Sequence, residues 1–343
     1  MLAFHSDAFS LALPPGHPFP QSKYRLLREY FERDPGLLRM QPAEPASEAE
    51  LTLAHTQDHV DAVLLGRLSP AAQREIGFPW SPQMAERSRR SVGASIMAAR
   101  AALAEGVAAN MAGGTHHAYA DRGSGYCVFN DVAVAARLMQ AEWHRAHRQL
   151  LRVLVIDLDV HQGNGTAAIF RDDASVFTFS MHGAKNFPAR KEASDLDVDL
   201  PDDCGDAAYL AALDEALEKV WAQHGEQFSE QWPGLAFYLA GADPHEGDRL
   251  GRLKLSTAGM LARDQRVLQA LRERGIPVAL SMAGGYGRDL STTLACQVNT
   301  LNEAAHSWWL WQSAQPRTKS AGDERMRGRD GIRNAPNPEG LMP

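Results

Sequence analysis

Cysteine is scarce in this sequence: its 343 residues include only Cys127, Cys204 and Cys296, and none belongs to a C-x-x-C pair. An odd number of widely spaced cysteines argues against a disulfide framework, so we expect a protein of the reducing cytoplasm. No window approaches the roughly 18 apolar residues of a membrane span, and the N-terminus lacks the basic and apolar regions of a signal peptide. We therefore expect no membrane association.

A surplus of positive charge is also missing. The chain has 35 Lys and Arg against 42 Asp and Glu, a formal net charge of −7. Binding to a nucleic-acid backbone needs clustered basic residues, so we expect no direct nucleic-acid partner. The acidic balance fits a cationic substrate, but it is equally what keeps most soluble proteins in solution.

Short apolar runs alternate with helical patterns along the chain. Buried strands are predicted at 151–159, 175–181, 235–240 and 276–283, and helices at 22–32, 81–106, 131–144, 206–224 and 256–274. This alternation predicts one α/β domain, residues 1–312, with a mostly parallel central sheet flanked by helices. Residues 313–343 are rich in Arg, Gly, Pro and Asn and lack apolar periodicity, so we predict a disordered tail.

Potential metal ligands follow two of the predicted strands. In the segment DLDVHQGNG, residues Asp157, Asp159 and His161 alternate, so on an extended strand they would share one face. Asp243 follows another strand, at the carboxyl edge where open α/β sheets bind ligands. Asp159, His161 and Asp243 form the best trio for a catalytic zinc or ferrous ion with an open coordination position. Polar residues at strand ends also serve as caps and turns, and D-x-H alone favours that interpretation.

Two glycine-rich motifs add candidate catalytic residues. His116 and His117 are adjacent in AGGTHHA, and imidazoles suit acid–base chemistry near neutral pH. Taken alone, the pair also fits a surface turn or an adventitious metal site. Tyr286 follows a strand in AGGYG, where its hydroxyl could donate to a developing oxyanion or serve a structural role.

In the order GGTHHA, GYCVFND, DLDVHQGNG, GADPHEGD and AGGYG, these segments resemble the histone deacetylase family over residues 17–304. The stretches HPFPQSKYRLL and SDLDVDLP are most similar to its class IV-like and bacterial branch. The resemblance implies an arginase/deacetylase-like fold with the active site at the carboxyl edge of the strands. It also implies a metal-dependent amide hydrolase that removes an acetyl or longer acyl group from acyl-lysine or a small acylated amine.

The resemblance also implies roles for the candidate residues. Zinc, with ferrous iron as the alternative, would be bound by Asp159, His161 and Asp243. His117 would be the general base, and His116 its electrostatic or acid partner. Asp157 would orient His116, and Asn164 would orient His117. Tyr286 would be the oxyanion donor. A structural potassium ion would use oxygens of Asp157, Asp159, His161, Ser180 and Met181. The substrate channel would be lined by Gly125, Tyr126 and Phe187.

The sequence departs from the family pattern at several positions. Many members have an aspartate where Asn164 stands, so we expect a less basic His117. Gln162 replaces the second histidine of a usual pair, Ala283 shortens the glycine run before the tyrosine, and Leu196 argues against a second potassium site. None of these replaces a proposed zinc ligand.

Two other functions remain open from the sequence. An arginase-like two-metal ureohydrolase would need anionic ligands where the neutral Gln162 and Asn164 stand. A non-catalytic module that binds acyl-lysine or an acylated amine would not need Tyr286. The presence of that tyrosine favours the hydrolase.

Overall fold

An eight-stranded sheet forms the centre of the computed structural model, which describes residues 1–228 and 234–314. Its strand order is β2-β1-β3-β8-β7-β4-β5-β6, and every pairing is parallel. The strands are β1 (Leu2–His5), β2 (Arg39–Pro42), β3 (Val107–Asn110), β4 (Val153–Asp157), β5 (Val176–Gly183), β6 (Leu196–Leu200), β7 (Leu235–Leu239) and β8 (Val278–Ser281). The predicted α/β class with a mostly parallel sheet is confirmed.

Helices connect the strands in the described residues. They are α1 (Ser22–Glu32), α2 (Glu48–Leu51), α3 (Gln57–Leu64), α4 (Pro70–Ile76), α5 (Pro82–Glu105), α6 (Asp131–His147), α7 (Asn164–Phe170), α8 (Asp206–Phe228), α9 (Thr257–Glu273) and α10 (Leu290–Ala314). Local residues fix where α5 begins: the Ser81 side chain accepts a hydrogen bond from the Met84 amide, and Pro82 occupies the first turn. Gly106, with φ of 86°, ends the helix.

Both faces of the sheet are covered, which explains the unbroken apolar runs of its central strands. Alternate residues of β7 contribute to two different core clusters: Ala236 and Tyr238 belong to one, and Leu235, Phe237 and Leu239 belong to the other. All five are buried. A central strand therefore shows no polar alternation in its sequence.

Strand β4 ends at Asp157, two residues earlier than predicted. Asp159 and His161 lie in the segment that follows the strand, so the expectation that strand alternation puts them on one face with Asp157 is wrong. These side chains are grouped by the loop geometry described below.

Several elements were not predicted, among them β1, β2, β3, β6 and α10. Helix α10 runs to Ala314, so the first two residues of the predicted tail are helical. The remainder, 315–343, lies outside the described residues, and its disorder stays a prediction. Residues 1–312 form one compact unit, and no helix of the described part is long and apolar enough to cross a membrane.

Candidate active site

Four of the five sequence motifs, all but GYCVFND, meet because they follow four neighbouring strands. In the sheet, β3 pairs with β8, β8 with β7, and β7 with β4. Parallel strands place all their carboxyl ends at one edge. The His116–His117 motif follows β3, the Tyr286 motif follows β8, and the segments carrying Asp243 and Asp159 follow β7 and β4.

Asp159, His161 and Asp243 form a buried group whose candidate ligand atoms all lie within 4.8 Å of one another. His161 Nδ1 lies 2.9 Å from Asp159 Oδ1 and 3.4 Å from Asp243 Oδ2. Backbone amides fix the two carboxylates: Asp159 Oδ2 accepts from Gly284 N at 2.8 Å, and Asp243 Oδ1 accepts from Val160 N at 2.9 Å. The remaining oxygen, Asp243 Oδ2, is buried without a hydrogen-bond partner among the described residues.

A metal ion fits this group on two observations. A buried carboxylate oxygen without a hydrogen bond is costly unless a cation contacts it. Among the described residues Asp243 Oδ2 makes no hydrogen bond, and His161 Nδ1, 3.4 Å away, is a candidate ligand of the same ion. Glycine is also required beside the two carboxylates: a methyl group at Gly284 would collide with Asp243 Oδ2 and Asp159 Oδ2, so any larger residue would fill the position next to these oxygens. Two carboxylates and one imidazole suit zinc or ferrous iron.

The residues of the Asp159–His161–Asp243 group differ in how readily they bind a proton when no metal is present. Burial raises the pKa of Asp243 to about 6, and the neighbouring Asp159 carboxylate adds to this rise. Burial disfavours a charged His161, but Asp159 and Asp243 outweigh it and raise the pKa of His161 to about 10. In the metal-free protein the two carboxylates therefore hold a proton on His161.

The two adjacent histidines have different partners. His116 Nδ1 lies 2.6 Å from Asp157 Oδ2, and His117 Nδ1 lies 2.6 Å from Asn164 Oδ1. The amide orientation follows from its other contact, because Asn164 Nδ2 donates to the Tyr119 hydroxyl at 2.8 Å. Asn164 Oδ1 therefore accepts, His117 carries its proton on Nδ1, and Nε2 of that ring is left with a lone pair.

These partners give the two imidazoles opposite protonation. Burial disfavours a charged His116, but Asp157 and Asp159 outweigh it and raise the pKa of His116 to about 9. The pKa of His117 is well below its usual value because of burial and the positive charges of His116 and His161, which the bond from Asn164 only partly offsets. At neutral pH the site thus holds a protonated imidazole with its ring centre 4.1 Å from that of a neutral one.

Tyr286 follows a loop with positive φ angles, and a buried lysine holds that loop by hydrogen bonds to its carbonyls. Ala283 has φ of 46° and Gly285 of 136°, and Lys23 Nζ donates to the carbonyls of both, at 3.2 and 3.3 Å. Burial raises the pKa of Tyr286 well above its usual value, so the hydroxyl keeps its proton and can donate it. Sequence reasoning missed Lys23. The available signal was its position on the buried face of α1, one turn before Leu27 and two before Phe31.

A cavity of about 770 Å³ joins these groups. The predicted channel residues Gly125, Tyr126 and Phe187 line it together with the Asp–His–Asp group, both histidines and Tyr286. Phe187 is 45% exposed and packs edge-on against His117, with ring centres 4.8 Å apart. A side chain at Gly125 would collide with the His117 ring, so glycine keeps the wall of the cavity thin here.

Three of the predicted potassium ligands, Asp157, Ser180 and Met181, lie on the neighbouring strands β4 and β5. Ser180 pairs with Asp157 in the sheet register, and Met181 follows it on β5. Ser180 Oγ lies 3.0 Å from Nδ1 of the buried His182, a polar neighbour that sequence reasoning did not include. Potassium binding stays a prediction.

A parallel α/β sheet with buried acidic and imidazole groups at its carboxyl edge has a ligand or metal site where open α/β sheets place one. The sequence profile of the histone deacetylase domain matches residues 17–301, so the chain belongs to the histone deacetylase family. This confirms the resemblance drawn from the motifs.

Relatives and solved structures agree with this assignment. An uncharacterized protein of Picosynechococcus is 43% identical, with the alignment covering 84% of this chain and 93% of that protein. Histone deacetylase 2 of Arabidopsis thaliana is 31% identical, over 83% of this chain and 74% of the relative. The crystal structure of an HDAC homolog from Aquifex aeolicus superposes with a TM-score of 0.74 at 25% identity, covering 89% and 83% of the two chains.

Proposed function

We propose that this protein is a zinc-dependent deacylase that hydrolyses the amide of an acyl-lysine peptide or protein, or of a small acylated amine. The observation that carries the proposal is the buried Asp159–His161–Asp243 group with the unsatisfied Asp243 Oδ2. Membership in a zinc-dependent family supports it. The three cysteines are free and buried, which fits the cytoplasm as its location.

Asp159, His161 and Asp243 would hold the zinc, with ferrous iron as the alternative ion. Bound there, zinc would supply Lewis acidity, which polarises a carbonyl and lowers the pKa of water. Potassium near Asp157, Ser180 and Met181 would be structural.

His117 acts as general base in this proposal. Its Nε2 lone pair accepts a proton from the attacking water while Asn164 holds the opposite edge of the ring. Once His117 is protonated, it stands beside the cationic His116, and the two positive charges repel each other. This repulsion favours passing the proton on to the departing amine, which is a poor leaving group until it receives one.

Tyr286 supplies the oxyanion donor. Its hydroxyl stays protonated because of burial, and it borders the same cavity as the base. A preorganised donor in a water-poor site stabilises the negative charge that develops on the carbonyl oxygen. Gly125, Tyr126 and Phe187 would admit an unbranched stem such as that of lysine.

The test is amide hydrolysis by the purified protein on lysine peptides and polyamines bearing acetyl, medium and long acyl groups, with and without a chelator. We expect turnover that the chelator abolishes and added zinc restores, and the panel will name the acyl class. The matched control is His117→Ala, which should keep zinc but lose turnover. Zinc-loaded, folded protein that binds these compounds and hydrolyses none would indicate the non-catalytic binding module.

A further inference from the structure

A fully buried arginine on α9 contacts the backbone near two candidate metal ligands. Arg263 is 0% exposed and, among the residues whose burial the structure describes, has the largest fully buried side chain. Its Nη1 donates to the carbonyl of Gly241 at 2.7 Å and to that of Leu158 at 3.3 Å. These carbonyls belong to the segments that follow β7 and β4, so one nitrogen joins two different loops.

Both carbonyls belong to residues within two positions of candidate metal ligands. Leu158 immediately precedes Asp159, and Gly241 lies two residues before Asp243. The regular pairing of β4 with β7 ends at Asp157 and Leu239. Beyond that pair, the separation of the two carboxylates depends on contacts outside the strand ladder. Arg263 makes such a contact with both segments.

The guanidinium is itself held in place by a buried acid. Asp264 lies 2.9 Å from Arg263 Nε and 2.8 Å from Nη2. The same carboxylate accepts from the Tyr238 hydroxyl and from Thr300 Oγ1, each at 2.5 Å. Burial disfavours the charge on Arg263, but Asp264 outweighs it and raises the pKa of the guanidinium. Arg263 is therefore always charged and cannot turn away from the carbonyls without losing its partner.

Stability alone explains this arrangement poorly. Taking an ion pair out of water costs several kcal/mol per ion, and apolar side chains of similar volume often replace such a pair without loss. An apolar side chain cannot, however, donate to the two carbonyls.

We propose that Arg263 is a positioning residue: by bonding Leu158 O and Gly241 O, it sets the spacing of Asp159 and Asp243 for a divalent cation. The inference rests on the proposed function, because it takes these two aspartates as metal ligands. Partners that orient ligands without touching the metal typically contribute about 10- to 100-fold to metal affinity.

The experiment measures zinc affinity of the full chain rather than turnover. Metal-free wild type, Arg263→Met, Arg263→Lys and Asp264→Asn are titrated with zinc against a chromophoric chelator, and their thermal unfolding is followed. Asp264→Asn is the matched control, because it removes a buried charge of the same pair but keeps an oxygen that can accept from the guanidinium, so the bonds from Arg263 to the two carbonyls remain. We expect Arg263→Met to raise the zinc Kd by about 10- to 100-fold, Arg263→Lys to recover part of this loss, and Asp264→Asn to lower the Tm with little change in Kd.

Equal zinc affinity in folded Arg263→Met and wild type would overturn the inference. So would equal losses of affinity in Arg263→Met and Asp264→Asn, because both would then follow from destabilisation. If Arg263→Met does not fold, the double variant Arg263→Met/Asp264→Leu removes both buried charges and is titrated in its place. A wild type that binds zinc and hydrolyses no amide would refute the proposed function while leaving the inference on Arg263 standing.

Discussion

Replacing Asn164 by aspartate tests the assignment of His117 as a base kept neutral by its partner. Asn164 Oδ1 lies 2.6 Å from His117 Nδ1, so an aspartate of the same shape would place a negative charge against the ring. Two opposite charges about 4 Å apart attract by about 4 kcal/mol at an effective dielectric constant of about 20. Burial of the new charge offsets part of this attraction.

The direction of the pKa change at His117 depends on which protonation state of the ring the new aspartate stabilises. A carboxylate favours the imidazolium, so the pKa of His117 rises in the variant. A base must be neutral to accept a proton, so kcat/KM begins to fall at a higher pH than in the wild type. One pH unit corresponds to about 1.4 kcal/mol, so we expect the acidic limb of the profile to move up by about one unit or more.

The assay is kcat/KM against pH for wild type, Asn164→Asp and Asn164→Ser, each loaded with zinc. The serine variant is the uncharged control and should lose rate without an upward movement of the acidic limb. An aspartate variant whose acidic limb stays in place or moves down would refute the assignment of His117 as the base.

Three further predictions concern the oxyanion donor and the metal. Tyr286→Phe should lower kcat by about 10²- to 10³-fold, the usual loss for one oxyanion donor, whereas unchanged turnover would remove the hydroxyl from the mechanism. Burial raises the pKa of Asp243 to about 6, so above that pH its charge destabilises the metal-free fold. Asp243→Asn should therefore stabilise the metal-free protein by about 1–3 kcal/mol at pH 7 while weakening zinc binding, and a lower Tm without metal would contradict this. The pKa of His161 near 10 means that zinc must displace one proton at neutral pH. The zinc association constant should thus rise about tenfold per pH unit between about pH 6.5 and 9, and a flat dependence would show that His161 carries no displaceable proton in the metal-free protein.

The central strands could be predicted because their burial leaves a signal in their own residues. Strands β4, β5, β7 and β8 are buried along their length and read as apolar runs. Two of the missed strands, β2 and β6, have no such signal. β2 has the sequence RMQP with an exposed edge, and β6 alternates acid with aliphatic residues in LDVDL. Their pairing partners, which a sequence pattern does not reveal, make them strands.

The residues of the candidate site likewise include some that could be predicted from the sequence and some that could not. Residues placed by strand ends and glycine turns could be predicted, because parallel topology brings those ends together whatever the connecting helices do. Lys23 and Arg263 could not, because they reach the site from α1 and α9 and act on backbone carbonyls. Such contacts depend on helix packing across the sheet and need no local motif. A basic residue on a buried helix face is the signal to look for.

The charges of the site explain why an amide at position 164 is compatible with catalysis. His116 and Asp157 hold one proton between them and carry no net charge together. A divalent cation with the two carboxylates of Asp159 and Asp243 would likewise sum to zero. His117 and Asn164 are neutral as they stand. Since all these groups are buried, a net charge on the His116–Asp157 pair, on the metal with its carboxylates, or on the His117–Asn164 pair would be destabilising. The histidine that must be cationic thus has the charged partner, and the one that must begin neutral has the neutral partner.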